Sequence, residues 1–131
     1  MARVLVVDDE SEVCSLLKEY LGSLGYDVAT ACDGEEALEK TRNFHPDCVL
    51  LDLRMPIMGG EGALQRIKSL SPETEIIIVT AINKVDIAEK CLLHGAFAYV
   101  AKPIDLDYLE SLIQCSLEHR KAVKGQNIRP V

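Results

Sequence analysis

Cys48-Val49-Leu50-Leu51-Asp52 constrains the fold of this chain more than any other stretch. Four apolar residues run directly into one acid, and turn chemistry follows at Pro56 and Gly59-Gly60. An apolar run this short, bounded by breakers, predicts a strand buried on both faces, as in a parallel sheet. A carboxylate at the end of such a strand is costly unless something compensates it. In open α/β sheets, ligands bind at the carboxyl ends of the strands. Asp52 is therefore the candidate reactive group, provided other segments bring suitable partners to it.

Four further runs, at 3–8, 26–31, 75–80 and 97–101, also have strand character. After the first, Val13, Leu16, Leu17, Tyr20, Leu21 and Leu24 recur on one helical face. Gly25 is placed to end that helix in the C′ position. Asp33-Gly34-Glu35-Glu36 has a capping-box pattern and opens a second helix to about Phe44. His45-Pro46-Asp47 turns the chain into the central strand. Gly59, Gly60 and Gly62 precede a third helix carrying Ala63, Leu64, Ile67 and Leu70, which Ser71-Pro72 breaks. A short helix from about Lys84 to Leu93 ends at Gly95. Asp105 caps a last helix whose buried face carries Leu109, Leu112, Ile113 and Leu117. From about Lys121 the chain reads as basic and irregular. The expected division is a domain over 1–121, with 122–131 a flexible tail or the start of a linker.

Five strands alternating with five helices imply a parallel sheet covered on both faces. The expected fold is α/β: a flavodoxin-like, doubly wound sheet of order 2-1-3-4-5 flanked by five helices. At 131 residues and 48% apolar content, the chain suits one domain with a sizeable core. No run reaches the roughly 18 apolar residues of a membrane span, and the N-terminus does not read as a signal peptide. A formal charge of −7 argues against direct nucleic-acid binding but suits a site that attracts a divalent cation. The five cysteines form no Cys-x-x-Cys pair, and small buried thiols in a reducing cytoplasm are expected. His45, His94 and His119 are scattered and receive no catalytic or metal role.

In the expected strand order, the first strand ends in Asp8-Asp9, the third in Asp52 and the fourth in Thr80, while Lys102 follows the fifth. Carboxylates crowded on one sheet edge raise each other's pKa. A hard divalent cation relieves that repulsion, and Mg²⁺ takes one or two carboxylates plus phosphate oxygens. Lys102 supplies a phosphate-binding ammonium and Thr80 a hydroxyl. Together these groups describe a phosphoryl-transfer site in which an ionised carboxylate is the nucleophile.

The same residues resemble a known family. Asp8-Asp9-Glu10, Asp52 with Met55-Pro56-x-Met58-x-Gly60, Thr80-Ala81 and Tyr99-x-x-Lys102-Pro103 are similar to the motifs of response-regulator receiver domains of two-component signalling, the CheY-like type. The resemblance covers about residues 3–120. It implies that Asp52 accepts phosphate from a sensor histidine kinase or phosphotransfer protein, with slow self-catalysed loss. It implies Mg²⁺, or Mn²⁺, held by Asp9, Asp52 and the Arg54 carbonyl, with Asp8 acting through water. Thr80 and Lys102 would contact the phosphate, and Thr80 and Tyr99 would act as a switch. The face formed by the fourth helix, fifth strand and fifth helix would then bind partners or a second copy. A cis Lys102-Pro103 bond and a cytoplasmic location are also implied.

Arg54 and Ile82, two residues beyond Asp52 and Thr80, occupy positions that in this family tune phosphate loss, and large side chains there imply a long-lived phosphorylated form. Gly59 departs from the acid or Asn that the family often has at that position.

Three other functions fit the residues less well. A haloacid-dehalogenase-type phosphatase needs its nucleophile after the first strand and a second Asp where this chain has Arg54. A flavodoxin-like cofactor binder needs a phosphate-cradling loop where Asp8-Asp9-Glu10 stands. A receiver fold that is never phosphorylated has no need of the full acid set.

Overall fold

The computed structural model describes residues 2–56 and 58–126. Strands β1 (Arg3–Val7), β2 (Asp27–Ala31), β3 (Cys48–Leu51), β4 (Glu75–Thr80) and β5 (Ala98–Ala101) alternate with helices α1 (Ser11–Ser23), α2 (Gly34–Phe44), α3 (Gly59–Leu70), α4 (Val85–Leu93) and α5 (Leu106–Gln126). The strands form one five-stranded sheet of order β2-β1-β3-β4-β5. Every pairing is parallel. This is the doubly wound fold expected from the alternation of elements.

Strand periodicity divides the core in two. Leu5, Val7, Val49, Leu51, Ile76 and Ile78 face one side, against Ala37 and Leu38 of α2, Ala63, Leu64 and Ile67 of α3, and Cys91 of α4. Val4, Val6, Leu50, Ile77 and Val79 face the other, against Cys14, Leu17 and Leu21 of α1 and Leu109 and Ile113 of α5. Both faces are covered, so β3 and β4 are buried throughout, as continuous apolar runs require.

Local signals set the helix ends. Gly25 adopts φ +98°. The Tyr26 amide reaches the Leu21 carbonyl and the Gly25 amide the Gly22 carbonyl, which is a Schellman closure. Asp33 accepts from the Glu36 amide at 2.8 Å, and the Glu36 carboxylate accepts from the Cys32 amide at 2.7 Å. The box therefore closes one residue earlier than its usual form.

Several expectations need correction. The glycines at 59, 60 and 62 lie within α3 rather than before it. At Gly60 a Cβ would stand 2.6 Å from the Asp52 carbonyl oxygen and closer still to Leu53 Cα, so only glycine lets α3 start against the Asp52 loop. The irregular path expected from Lys121 is absent, because α5 continues to Gln126. Lys121 and Ala122 are strong helix formers and let the helix run on past its apolar face. The rest of the expected tail, 127–131, lies outside the described residues. Leu16 and Leu24 are exposed, because the apolar stripe of α1 is wider than its contact with the sheet. On α5, Ser116 is fully buried beside the Cys48 thiol. Cys14, Cys48 and Cys91 are buried, but Cys32 and Cys115 are exposed.

Candidate functional site

Parallel register brings the strand ends together. Val7 pairs with Ala31 on one side and Leu51 on the other. The ladder carries on past the strands, with the Asp52 amide on the Val7 carbonyl and the Asp8 amide on the Ala31 carbonyl, both at 3.0 Å. Asp8 and Asp52 are thus neighbours on one edge. Thr80 pairs with Ala101, and the Lys102 amide donates to the Thr80 carbonyl at 2.8 Å. Lys102 is delivered to the same edge, and the Lys102-Pro103 bond is cis.

The Lys102 ammonium lies between the acids, 2.8 Å from Asp8 Oδ2 and 3.0 Å from Asp52 Oδ2. A weaker contact reaches Glu10 Oε1 at 3.4 Å. The second oxygens are also engaged: Asp8 Oδ1 accepts from the Glu10 amide at 2.9 Å and Asp52 Oδ1 from the Arg54 amide at 3.0 Å. Asp8 and Asp52 are only 3% and 4% exposed, so these partners are what make two buried acids tolerable. Burial pushes the Asp8 pKa up, against the lowering effect of Lys102 and the Glu10 amide. Burial works to lower the Lys102 pKa, but the hydrogen bonds to Asp8 and Asp52 outweigh it and hold the ammonium above the usual lysine range.

Asp8, Glu10 and Asp52 each offer a carboxylate oxygen within 4.8 Å of the others. Three hard oxygen donors at that spacing are suited to a divalent ion such as Mg²⁺. Asp9, expected as a direct ligand, is exposed and stands outside this group. Glu10 completes the cluster through a carboxylate that is itself largely exposed. Its signal was present in the Asp8-Asp9-Glu10 run, but three adjacent acids on a turn cannot be ranked without the backbone path.

Thr80 is fully buried, and its hydroxyl accepts from the Ile82 amide at 3.3 Å. Tyr99 is half-buried against the α2–α3–α4 core, and its hydroxyl donates to the Ile82 carbonyl at 2.6 Å. Arg54 is exposed at the mouth of the site. The structure therefore gathers Asp8, Asp52, Thr80 and Lys102 at one edge, with Tyr99 joined to it through Ile82.

The family model of the response regulator receiver domain matches residues 4–114. The transcriptional regulatory protein ZraR of Escherichia coli K12 is 38% identical over 123 residues, covering 94% of this chain and 28% of its own length. The chain thus spans about a quarter of the length of most of the curated relatives it matches and about half of one. A CheY-like receiver domain from Methanospirillum hungatei superposes with a TM-score of 0.89 at 30% identity, covering 93% of this chain and 98% of that one. CheY in the CheX–CheY–BeF₃–Mg²⁺ complex of Borrelia burgdorferi gives a TM-score of 0.83 at 32% identity, covering 87% of each chain. No helix among the described residues is long and apolar enough to cross a membrane. With its acids and lysine converging on one edge of a 2-1-3-4-5 sheet, this chain belongs to the response-regulator receiver domain family.

Proposed function

We propose that Asp52 is a phosphoacceptor supplied by a sensor histidine kinase or a phosphotransfer protein. The observation that carries this reading is the Lys102 ammonium bridging Asp8 and Asp52 at 2.8 and 3.0 Å. An Asp52 oxygen attacks the phosphorus of a phosphohistidine and the P–N bond breaks. The imidazole keeps the electron pair and takes up a proton. No side chain is needed as a base, because ionised Asp52 is already nucleophilic. Lys102 exchanges part of its carboxylate contact for phosphoryl oxygens, and the Thr80 hydroxyl donates to another.

Asp8, Glu10 and Asp52 would hold Mg²⁺ or Mn²⁺, with Asp9 and the Arg54 carbonyl as the further ligands that family resemblance suggests. When bound, the ion supplies positive charge against the phosphoryl oxygens. The BeF₃ and Mg²⁺ in the Borrelia complex support this assignment by likeness of fold and sequence. Thr80 moving toward phosphate would free the Ile82 amide and leave Ile82 held by Tyr99 alone, and the α4–β5–α5 face would change shape for a partner or a second copy.

The test is incubation with Mg²⁺ and acetyl phosphate, followed by intact mass. One phosphoryl group per chain, absent in Asp52→Asn and absent without divalent ion, is expected. No mass gain under any condition would make the chain an unphosphorylated interaction module. Steady turnover of a phosphate ester would make it a phosphatase.

A further inference from the structure

Helices α2 and α3 leave a shallow groove of about 500 Å³ lined by Leu38, Arg42, Gln65, Arg66, Ser69 and Leu70. Its charge is unusual for this molecule. The chain carries 21 acids against 14 basic residues, yet no acid lines the groove and two arginines do. Among the described residues, neither Arg42 nor Arg66 forms an ion pair within the chain. Leu38 gives an apolar floor and Leu70, 42% exposed, an apolar rim. Arginine is enriched at protein-binding surfaces relative to the rest of the protein surface.

Helix α4 presents the opposite character. Val85, Asp86, Glu89, Leu92 and Leu93 recur at i, i+1, i+4, i+7 and i+8, which is a single stripe along the helix. All five are exposed, Val85 by 74% and Leu93 by 85%. The helix's own cation, Lys90, is drawn to Glu61 of α3 at 3.4 Å, which leaves Asp86 and Glu89 without an ion pair among the described residues. The stripe is apolar at both ends and acidic between, over about 12 Å at the helical rise.

We propose that the α4 stripe of one molecule seats in the α2–α3 groove of a second copy. Asp86 and Glu89 meet Arg42 and Arg66, and the exposed leucines and Val85 cover Leu38 and Leu70. The two patches are different surfaces of one chain, so the contact is heterologous and extends into chains unless a pair closes with both grooves filled. The contact needs no phosphoryl group, and it stands or falls separately from the chemistry at Asp52.

Sedimentation velocity over a range of protein concentrations, at low and high salt, tests this. The wild type and Asp52→Asn should both associate as concentration rises, and less so at high salt. Arg42→Glu/Arg66→Glu should remain monomeric, as should Asp86→Lys/Glu89→Lys. All these positions are exposed, and circular dichroism verifies that each variant is folded. Combining the four substitutions in one chain restores the charge match and should restore association. A wild type that stays monomeric throughout, an arginine variant that still associates, or a combined variant that fails to recover overturns the proposal. Binding of an acidic, leucine-containing peptide to the groove by a wild type that stays monomeric would assign the groove to a different protein instead.

Discussion

The Tyr99 hydroxyl donates to the main-chain carbonyl of Ile82 at 2.6 Å and so ties β5 to the loop that leaves β4. The amide of the same residue donates to the Thr80 hydroxyl. Both proposed switch residues therefore hold Ile82, and displacing either hydroxyl frees one side of it. Tyr99→Phe keeps the ring packing and removes only the bond. We expect a loss of about 1 kcal/mol in urea unfolding and faster amide exchange over residues 82–84. Unchanged exchange in that loop would show that the bond holds nothing in place.

Lys102→Met leaves Asp8 and Asp52 buried without their shared cation. Removing one partner of a buried charged pair costs up to about 5 kcal/mol, and the solvent-facing side of this site places the expected loss below that limit. A divalent ion can replace the missing charge, so Mg²⁺ should raise the melting temperature of the variant more than that of the wild type. Equal shifts in thermal melts with and without Mg²⁺ would contradict the assignment of these acids to a metal.

At Gly60 an added methyl group would collide with backbone atoms of Leu53 and Asp52, which cannot rotate aside. Gly60→Ala should therefore destabilise by about 1–3 kcal/mol, as overpacking does, and should impair phosphorylation by shifting Asp52. Gly62→Ala is the control. There the nearest atom is Met58 Cγ at 3.3 Å, the end of the contact is flexible, and helix propensity favours alanine. Urea unfolding of the two variants should differ in direction or at least strongly in size.

The bond from the Cys32 amide holds the Glu36 carboxyl below its ordinary pKa. A depressed pKa means that the unfolded chain binds the proton more readily. The stabilisation is thus complete above the unfolded value of about 4.3 and is lost as pH falls through the folded value. Glu36→Gln removes this charge-dependent part. Urea midpoints recorded from pH 6 down to pH 3 should fall less steeply for the variant than for the wild type.

Arg54 stands exposed two residues beyond Asp52, and Ile82 packs half-buried two residues beyond Thr80, its amide on the Thr80 hydroxyl. Both side chains can obstruct water approaching a phosphorylated Asp52. Arg54→Ala/Ile82→Ala should lose its phosphoryl group several-fold faster, followed by intact mass after removal of the donor. A variant that decays no faster than the parent would remove these two residues from control of the lifetime.

The alternation of apolar runs with helical stripes was enough to define a parallel sheet covered on both faces, because such a sheet needs crossover helices and strands buried on both sides; the order 2-1-3-4-5 came from the likeness of length and element count to the flavodoxin-like fold. The identities at four strand ends were enough to mark Asp8, Asp52, Thr80 and Lys102, since each ends or follows a strand whose neighbours the order defines. Periodicity could not rank Asp9 against Glu10. That Glu10 comes near Asp8 and Lys102 depends on the backbone after β1, where the Glu10 amide folds back onto Asp8. Nor could it show that α5 outlasts its apolar face, since a helix can continue on propensity once packing has started it. The hold of Thr80 and Tyr99 on Ile82, and the arginine groove between α2 and α3, join residues far apart in the chain. Only the packed structure decided those, because burial and charge pairing depend on which surfaces meet and not on the order of residues along the chain.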